Sequence, residues 1–341
     1  MVSLLVAKNE FIRSLKSKKK LVLTFLLPLL SIIIAIFINN MMKPSINIGV
    51  IENEYTNRQV EEKINSIAEV KVSKANEESI NTDMILAKYL GVIKFKENNK
   101  FEVYCLDKNI KIFIEEALSE VINNGKVNKI EDLLSTLDEG GLSASQRANG
   151  FILITLIITC TMSATIILKD KEDKILLRYV ITPNKLSSYI LGNCIYNTIN
   201  TIMQIAISAV FVYLLKIDIG ISISQFIIIG VVIAIVSTSI AILVTVMSNS
   251  ELKASLLASS IALIMALLGG GFLPIEKMPN MLKFISNISI TRWIIDLTSL
   301  MEKGINYRDS FIIITFIILI SIIVVIISVK IGEKKFRKMV Y

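Results

Sequence analysis

"LVLTFLLPLLSIIIAIFINNMM", Leu21 to Met42, carries no charge from end to end. A run of about 20 apolar residues, rising ~1.5 Å each, spans the hydrocarbon core of a bilayer. The stretch before it, "KNEFIRSLKSKKK" (Lys8–Lys20), is strongly basic. Lysine and arginine beside a span stay on the cytoplasmic side, so the N-terminus is expected there. A cleaved signal peptide is the competing reading. The run ends in Asn39, Asn40, Met41 and Met42 with no small-residue cleavage site, which favours a retained anchor. Leu4, Leu5, Phe11, Ile12 and Leu15 recur near helical spacing, so residues 2–20 are expected to form an interfacial helix.

The rest of the chain has the same character. It has 341 residues, 53% of them hydrophobic, and a mean hydropathy of +0.64, too apolar for an ordinary soluble protein. The net charge is +8, but the basic residues flank apolar runs, which is a topology pattern and not a nucleic-acid surface. Histidine is absent, which excludes a Ser–His nucleophile pair, an HExxH zinc site and a His-ligated haem. Cys105, Cys160 and Cys194 form neither a disulfide framework nor a CxxC site. No GxxxxGK[ST] loop marks a nucleotide site, so no cofactor is expected on this chain.

Residues 43–148 interrupt the apolar pattern with a polar segment of mixed α/β character. "INIGVI", "EVKVSK", "GVIKFKE" and "FEVYCLD" read as strands, the last two joined across "NNK". "NRQVEEKINSIA", "NEESINTDMILAKYL" and a long stretch from Ile110 to Leu137 read as helices. With the first span pointing outward, this domain is expected outside the cell. It is large enough for its own core.

Five more spans follow: Gly150–Leu168, Ser188–Leu215, Gln225–Met247, Ser255–Phe272 and Ser310–Val329. The expected fold is a mostly α membrane protein with six transmembrane helices and an inserted extracellular α/β domain. Its parts are 1–42, 43–148 and 149–341, with both termini cytoplasmic in the plasma membrane. Residues 273–309 hold an apolar stretch interrupted by Lys, Asn and Arg, expected as an outer re-entrant segment packed against protein. Arg292 and Asp296, four apart, are expected to pair, and Glu251 in the inner turn to be solvated.

Two faces inside the spans are polar. Asn193, Asn197, Asn200, Gln204 and Ser208 share one face of a helix, as do Thr155, Thr159 and Ser163. Lipid penalises such faces, so they should meet protein or water. Helix–helix glue, a dimer seam and a substrate pathway all satisfy that.

Between the second and third spans lies "KDKEDKILLRYVITPNKLSSYILGN", Lys169–Asn193. Residues 171–182 can form a short helix with Ile175, Leu176, Tyr179 and Val180 on one side, ended by Pro183. It is either an amphipathic loop on the lipid surface or a docking helix for a cytoplasmic partner. With Leu168 added, it resembles the charged, Leu-rich, Thr-Pro segment of type-2 ABC (ATP-binding cassette) exporter permeases. Asp170, Lys171 and Glu172 match the charged triplet. Leu176, Arg178, Thr182 and Pro183 match the following helix and its stop, and Gly192 the glycine opening the next span. Lys174 and Ile175 replace the usual Gly-Thr pair, Leu177 stands at an acidic position and Asn193 at a basic one. "GGGFLPIEKMPNMLKFISNISITRW", Gly269–Trp293, resembles the family's Gly-Gly–aromatic–Pro…Met-Pro…Leu signature through Gly269, Gly270, Gly271, Pro274, Met278 and Pro279, without the proline before Trp293. Ala7–Pro28 resembles the family's interfacial helix and first span. Ile46–Ile64 resembles the start of the large outer domain in one branch.

The resemblance implies a coupling helix over 171–183, with Asp170, Lys171, Glu172, Lys174, Ile175, Leu176, Arg178, Tyr179, Thr182 and Pro183 as the ATPase-coupling set. It implies an outer gate at Gly269–Gly271, Pro274 and Pro279. It also implies a second permease subunit, identical or related, and a separate cytoplasmic ABC ATPase carrying ATP and magnesium. The chain itself would have no catalytic residue and would export one of the kinds of cargo that such permeases move: peptides, antimicrobial (multidrug) compounds, lipids or ions. A membrane-anchored scaffold or receptor without an ATPase is the alternative. An intramembrane enzyme is disfavoured by the missing histidine and paired aspartates.

Overall fold

The structure, a computed structural model, describes residues 2–42, 46–56, 58–65, 70–85, 88–97, 100–105, 108–124, 141–272, 274–275, 278–304 and 307–337. It divides into two compact units: Met1–Asn40 with Leu142–Tyr341, and Met41–Gly141. The chain opens with α1 (Val2–Lys16) and α2 (Lys18–Met42), separated by Ser17 alone. Pro28 lies inside α2, where it removes the N–H that would bond the Thr24 carbonyl, and Ser31 Oγ donates to the carbonyl of Pro28 at 2.7 Å.

The inserted unit is a four-stranded sheet flanked by helices. It runs β1 (Ile46–Ile51), α3 (Arg58–Asn65), β2 (Val70–Lys74), α4 (Ile80–Ile85), β3 (Gly91–Phe95), β4 (Phe101–Tyr104) and α5 (Lys108–Asn124). The sheet order is β2-β1-β3-β4, with β1 parallel to both β2 and β3 and β4 antiparallel to β3. Ile114, Ala117, Leu118 and Val121, at i, i+3, i+4 and i+7, turn one stripe of α5 into the core with Ile48, Val50, Ile93 and Phe95. All four expected strands form. Residues 98–99 of the expected turn, and 125–137 of the expected long helix, lie outside the described residues.

The remaining helices are α6 (Ala144–Ala164), α7 (Ile166–Glu172), α8 (Ile175–Ile181), α9 (Leu186–Leu214), α10 (Ile223–Met247), α11 (Glu251–Leu268), α12 (Asn280–Ser286), α13 (Ile290–Glu302) and α14 (Tyr307–Arg337). Among the described residues six helices are long and apolar enough to cross a membrane: Lys20–Asn39, Ala144–Glu172, Leu186–Leu214, Ile223–Met247, Glu251–Leu268 and Arg308–Arg337. These are the six expected spans; each starts earlier than expected, while the first, third and fifth end earlier, at Asn39, Leu214 and Leu268. The second begins at Ala144 and not Gly150, because Ser143 and Gln146 form a capping box there. Residues 142–148 therefore belong to the helical unit and not to the polar insert. The expected inner turn "SNSELKA" shrinks, since Ser250 caps α11 and Glu251 is already helical and exposed.

The helices are buttressed at one end by the last span. Lys335 Nζ donates to the carbonyls of Val246, Met247 and Ser248 at 3.0, 3.1 and 2.5 Å, placing a cation on the C-terminal carbonyls of α10. Glu333 Oε1 accepts the amide of Ser187 at 3.2 Å, an anion at the N-terminus of α9. This end, which also holds α1, α7 and α8, is called the charged end below.

Candidate functional site

At the charged end the backbone breaks where the sequence reading made one helix from 171. Lys174 sits at φ 59°, in the left-handed region, so α7 stops at Glu172 and α8 restarts at Ile175. That conformation costs a side-chain-bearing residue ~1 kcal/mol or more. Lys174 occupies the place where the resembled segment carries glycine. The short helix is thus Ile175–Ile181, and Asp170, Lys171 and Glu172 belong to the end of the second span. Thr182 Oγ1 donates to the Tyr179 carbonyl at 2.6 Å and closes the last turn before the exposed Pro183.

Asp170 departs from its expected docking role, being 2% exposed. It accepts Arg13 Nη1 at 2.6 Å and the Tyr189 hydroxyl at 2.5 Å, so it ties α1 and α9 to the end of the second span. Glu10 lies 3.8 Å from Arg13, and its carboxyl is pushed up to about 7 by burial first and by the charge of Asp170 second. Arg13, Glu10 and Tyr189 were missed from sequence. Their signal was an acid and a base three apart on α1, with nothing to say which residue they faced. Gly192 explains how close α1 comes: a Cβ there would lie 2.6 Å from Val6 Cβ and 2.7 Å from the Ser3 carbonyl.

One face of α8 is anchored. Leu176 is 3% exposed and clusters with Leu186, Tyr189, Ile190, Ile242 and Phe336, so it faces inward and not toward a partner. Tyr179 packs on Tyr189 with ring centroids 5.2 Å apart. The other face is uncovered: Ile175, Leu177 and Arg178 are exposed, and Ile181 is 74% exposed. Lys174, Glu172 and Thr182 are exposed beside them, and Lys171 is half-buried.

The polar stripes meet inside one chain. Thr159 Oγ1 donates to Gln204 Oε1 at 3.1 Å, and Thr155 Oγ1 to Ser31 Oγ at 3.3 Å. Asn193, Asn197, Gln204 and Ser208 are fully or almost fully buried, and Thr201 and Thr238 bond Cys160 between them. The Asn193 and Asn197 amides donate one turn back, to the carbonyls of Tyr189 and Asn193. Their Oδ1 atoms, with Gln204 Nε2, have no hydrogen-bond partner among the described residues. Ser163 and Asn200 of these residues line a cavity at the charged end.

At the opposite end Gly269 lets α13 approach: a Cβ would sit 2.5 Å from Ser289 Oγ and from Thr291 Cβ. Gly270 turns the chain at φ 90°, and Pro274 is buried. Pro279 immediately precedes α12. The expected re-entrant segment resolves into two short helices, and α13, at 13 residues, is ~20 Å long and too short to cross. Its Arg292 and Asp296 pair at 3.6 Å as expected. Glu302 at its end accepts from Ser143, Ser145 and Gln146, which pins α13 to the start of α6. Leu273, Glu276 and Lys277 lie outside the described residues.

The sequence model of the family described as ABC-2 type transporter matches residues 124–302, just over half of the chain. The chain belongs to this family. It is therefore a membrane subunit of an ABC transporter, a permease. The matched stretch runs from the end of α5 through α13 and so includes α8, the polar seam and the Gly269 turn. No curated protein matches the chain. Family membership makes this permease a transport subunit, with the ATPase as the enzyme of such a system.

Proposed function

We propose that this permease is the membrane half of an ATP-driven exporter and that α8 receives force from a cytoplasmic ABC ATPase. ATP and magnesium bind that partner, and a second permease subunit, identical or related, completes the assembly. Both termini lie in the cytoplasm of a plasma-membrane protein. The inserted α/β unit lies outside the cell, as in the branch with a large outer domain. The observation that carries the reading is the division of α8. Leu176 and Tyr179 fix one side to α9 and its neighbours, while Ile175, Leu177, Arg178 and Ile181 stay uncovered. Apolar side chains on both sides of a seven-residue helix suit burial on both, once by the spans and once by a partner. Two conformations that differ in partner contacts then alternate the exposure of a transport site. Gly269–Gly271, Pro274 and Pro279 form the outer gate of that cycle, where α13 closes against the second span.

Co-purification with candidate ATPase subunits tests this. Ile181→Asp or Leu177→Asp is expected to abolish association without loosening the face held by Leu176. Undiminished ATPase recovery with both variants would refute the docking face. So would labelling of a cysteine at Ile175 from the extracellular side alone. Recovery without any ATPase would leave the scaffold reading standing.

A further inference from the structure

Between α1, α2 and α9 two cavities adjoin. The first, about 320 Å³, lies at the charged end and is lined by Glu10, Arg13, Lys20, Ser163, Lys169 and Glu251, among others. The second, about 510 Å³, is almost wholly apolar and is lined by Phe25, Leu26, Leu29, Met203 and Ile207. Ser14, Leu21, Phe25 and Asn200 border both, so a polar chamber opens directly into an apolar groove. Leu26, Met203 and Ile207 are exposed on the surface that the spans present to lipid, so the groove is open sideways.

Charge decides what the chamber accepts. Arg13 is taken by Asp170. Lys20, half-buried, and Lys169, exposed at the chamber mouth, make no ion pair within 4 Å among the described residues; Glu251, also exposed, acts on Lys20 only at longer range. Glu10, the other acid facing the chamber, has its carboxyl pushed up to about 7 by burial, which weakens its claim on the lysines. A cation is left over beside a groove that only hydrocarbon can fill.

We infer that this bipartite cavity binds an anionic phospholipid of the adjoining leaflet, its phosphodiester between Lys20 and Lys169 and an acyl chain along Phe25, Leu29, Met203 and Ile207. The inference uses the membrane placement and the two cavities and does not depend on an ATPase.

The test is native mass spectrometry of the full-length permease exchanged from detergent into phosphatidylglycerol, phosphatidylcholine or sn-glycerol 3-phosphate. Phosphatidylglycerol is expected to stay bound, with phosphatidylcholine, which has the same phosphodiester but a trimethylammonium that the two lysines repel, retained about tenfold less. Lys20→Gln with Lys169→Gln is expected to reduce phosphatidylglycerol retention by about tenfold or more, and the corresponding Arg variants to restore it. Ile207→Trp, which fills the groove and leaves both lysines, is expected to displace the lipid as well. Equal retention of the two lipids would overturn the proposal, as would binding of glycerol phosphate that competes with the lipid. An Ile207→Trp variant that keeps its lipid would overturn it too. Failure of ATPase co-purification bears on the coupling face and leaves these readouts untouched.

Discussion

Replacing Arg13 by methionine keeps a side chain of similar reach and removes its charge. Asp170, 2% exposed, then keeps Tyr189 as a donor and loses its counter-charge. Glu10, its remaining charged neighbour on α1, is an acid and worsens the imbalance. A buried pair that loses one partner costs about 3–5 kcal/mol. The Arg13 side chain is 37% exposed, so solvent screens part of the attraction, and about 2–3 kcal/mol is the expected loss. Lifting α1 away from α9 is the cheapest way to rehydrate Asp170. Opening of α1 should therefore become about 30- to 150-fold more frequent. Hydrogen–deuterium exchange of peptides spanning residues 2–16, in one detergent and at one pH, reads this directly. Lys16→Met, at an exposed position, is the control and should change little. Adding Asp170→Asn to Arg13→Met should restore at least half of the protection, because the buried charge is gone. The reasoning fails if Arg13→Met leaves exchange within about twofold of the parent, or if the double variant is no better than the single.

The Glu10 carboxyl, at about 7 in the folded chain against 4.5 outside it, favours the docked state when protonated. Its contribution is whole below about pH 4.5 and is lost as pH rises through 7, so protection of α1 should fall over that window and Glu10→Gln should flatten the profile. The groups facing it are Asp170, Arg13 and Lys20, and exchange measured from pH 5 to pH 8 follows their joint effect. Gly192→Leu drives a side chain into Val6 and Ser3 and should cost about 1–3 kcal/mol of packing, seen as a lower unfolding temperature and faster exchange in α1. Lys174→Gly relieves the left-handed backbone and should stabilise the chain by about 1 kcal/mol in a thermal scan; no gain would mean that the turn is not held at positive φ. Glu302→Ala leaves three donors at the start of α6 without their shared acceptor, and should speed exchange in residues 144–150 while sparing α1.

The spans were legible in the sequence because lipid offers backbone groups no partner, which forces long uncharged helical runs such as Leu21–Met42. The strands of the insert were legible from short apolar, β-branched runs between turn residues, as in "INIGVI" and "GVIKF". Helical periodicity also put Asn193, Asn197, Asn200 and Gln204 on one face. What that face meets was decided only by the fold. Thr159, 45 positions away on another helix, bonds Gln204, and Asn200 and Ser163 reach a cavity. Asp170 shows the limit most clearly. The family resemblance placed it in the ATPase-coupling set, yet it is buried and its partner Arg13 lies 157 positions away. Local pattern is written in neighbouring residues, since it reflects a period along one element. Which elements touch depends on close approach at positions such as Gly192 and on the burial that follows, and these arise only when distant segments meet.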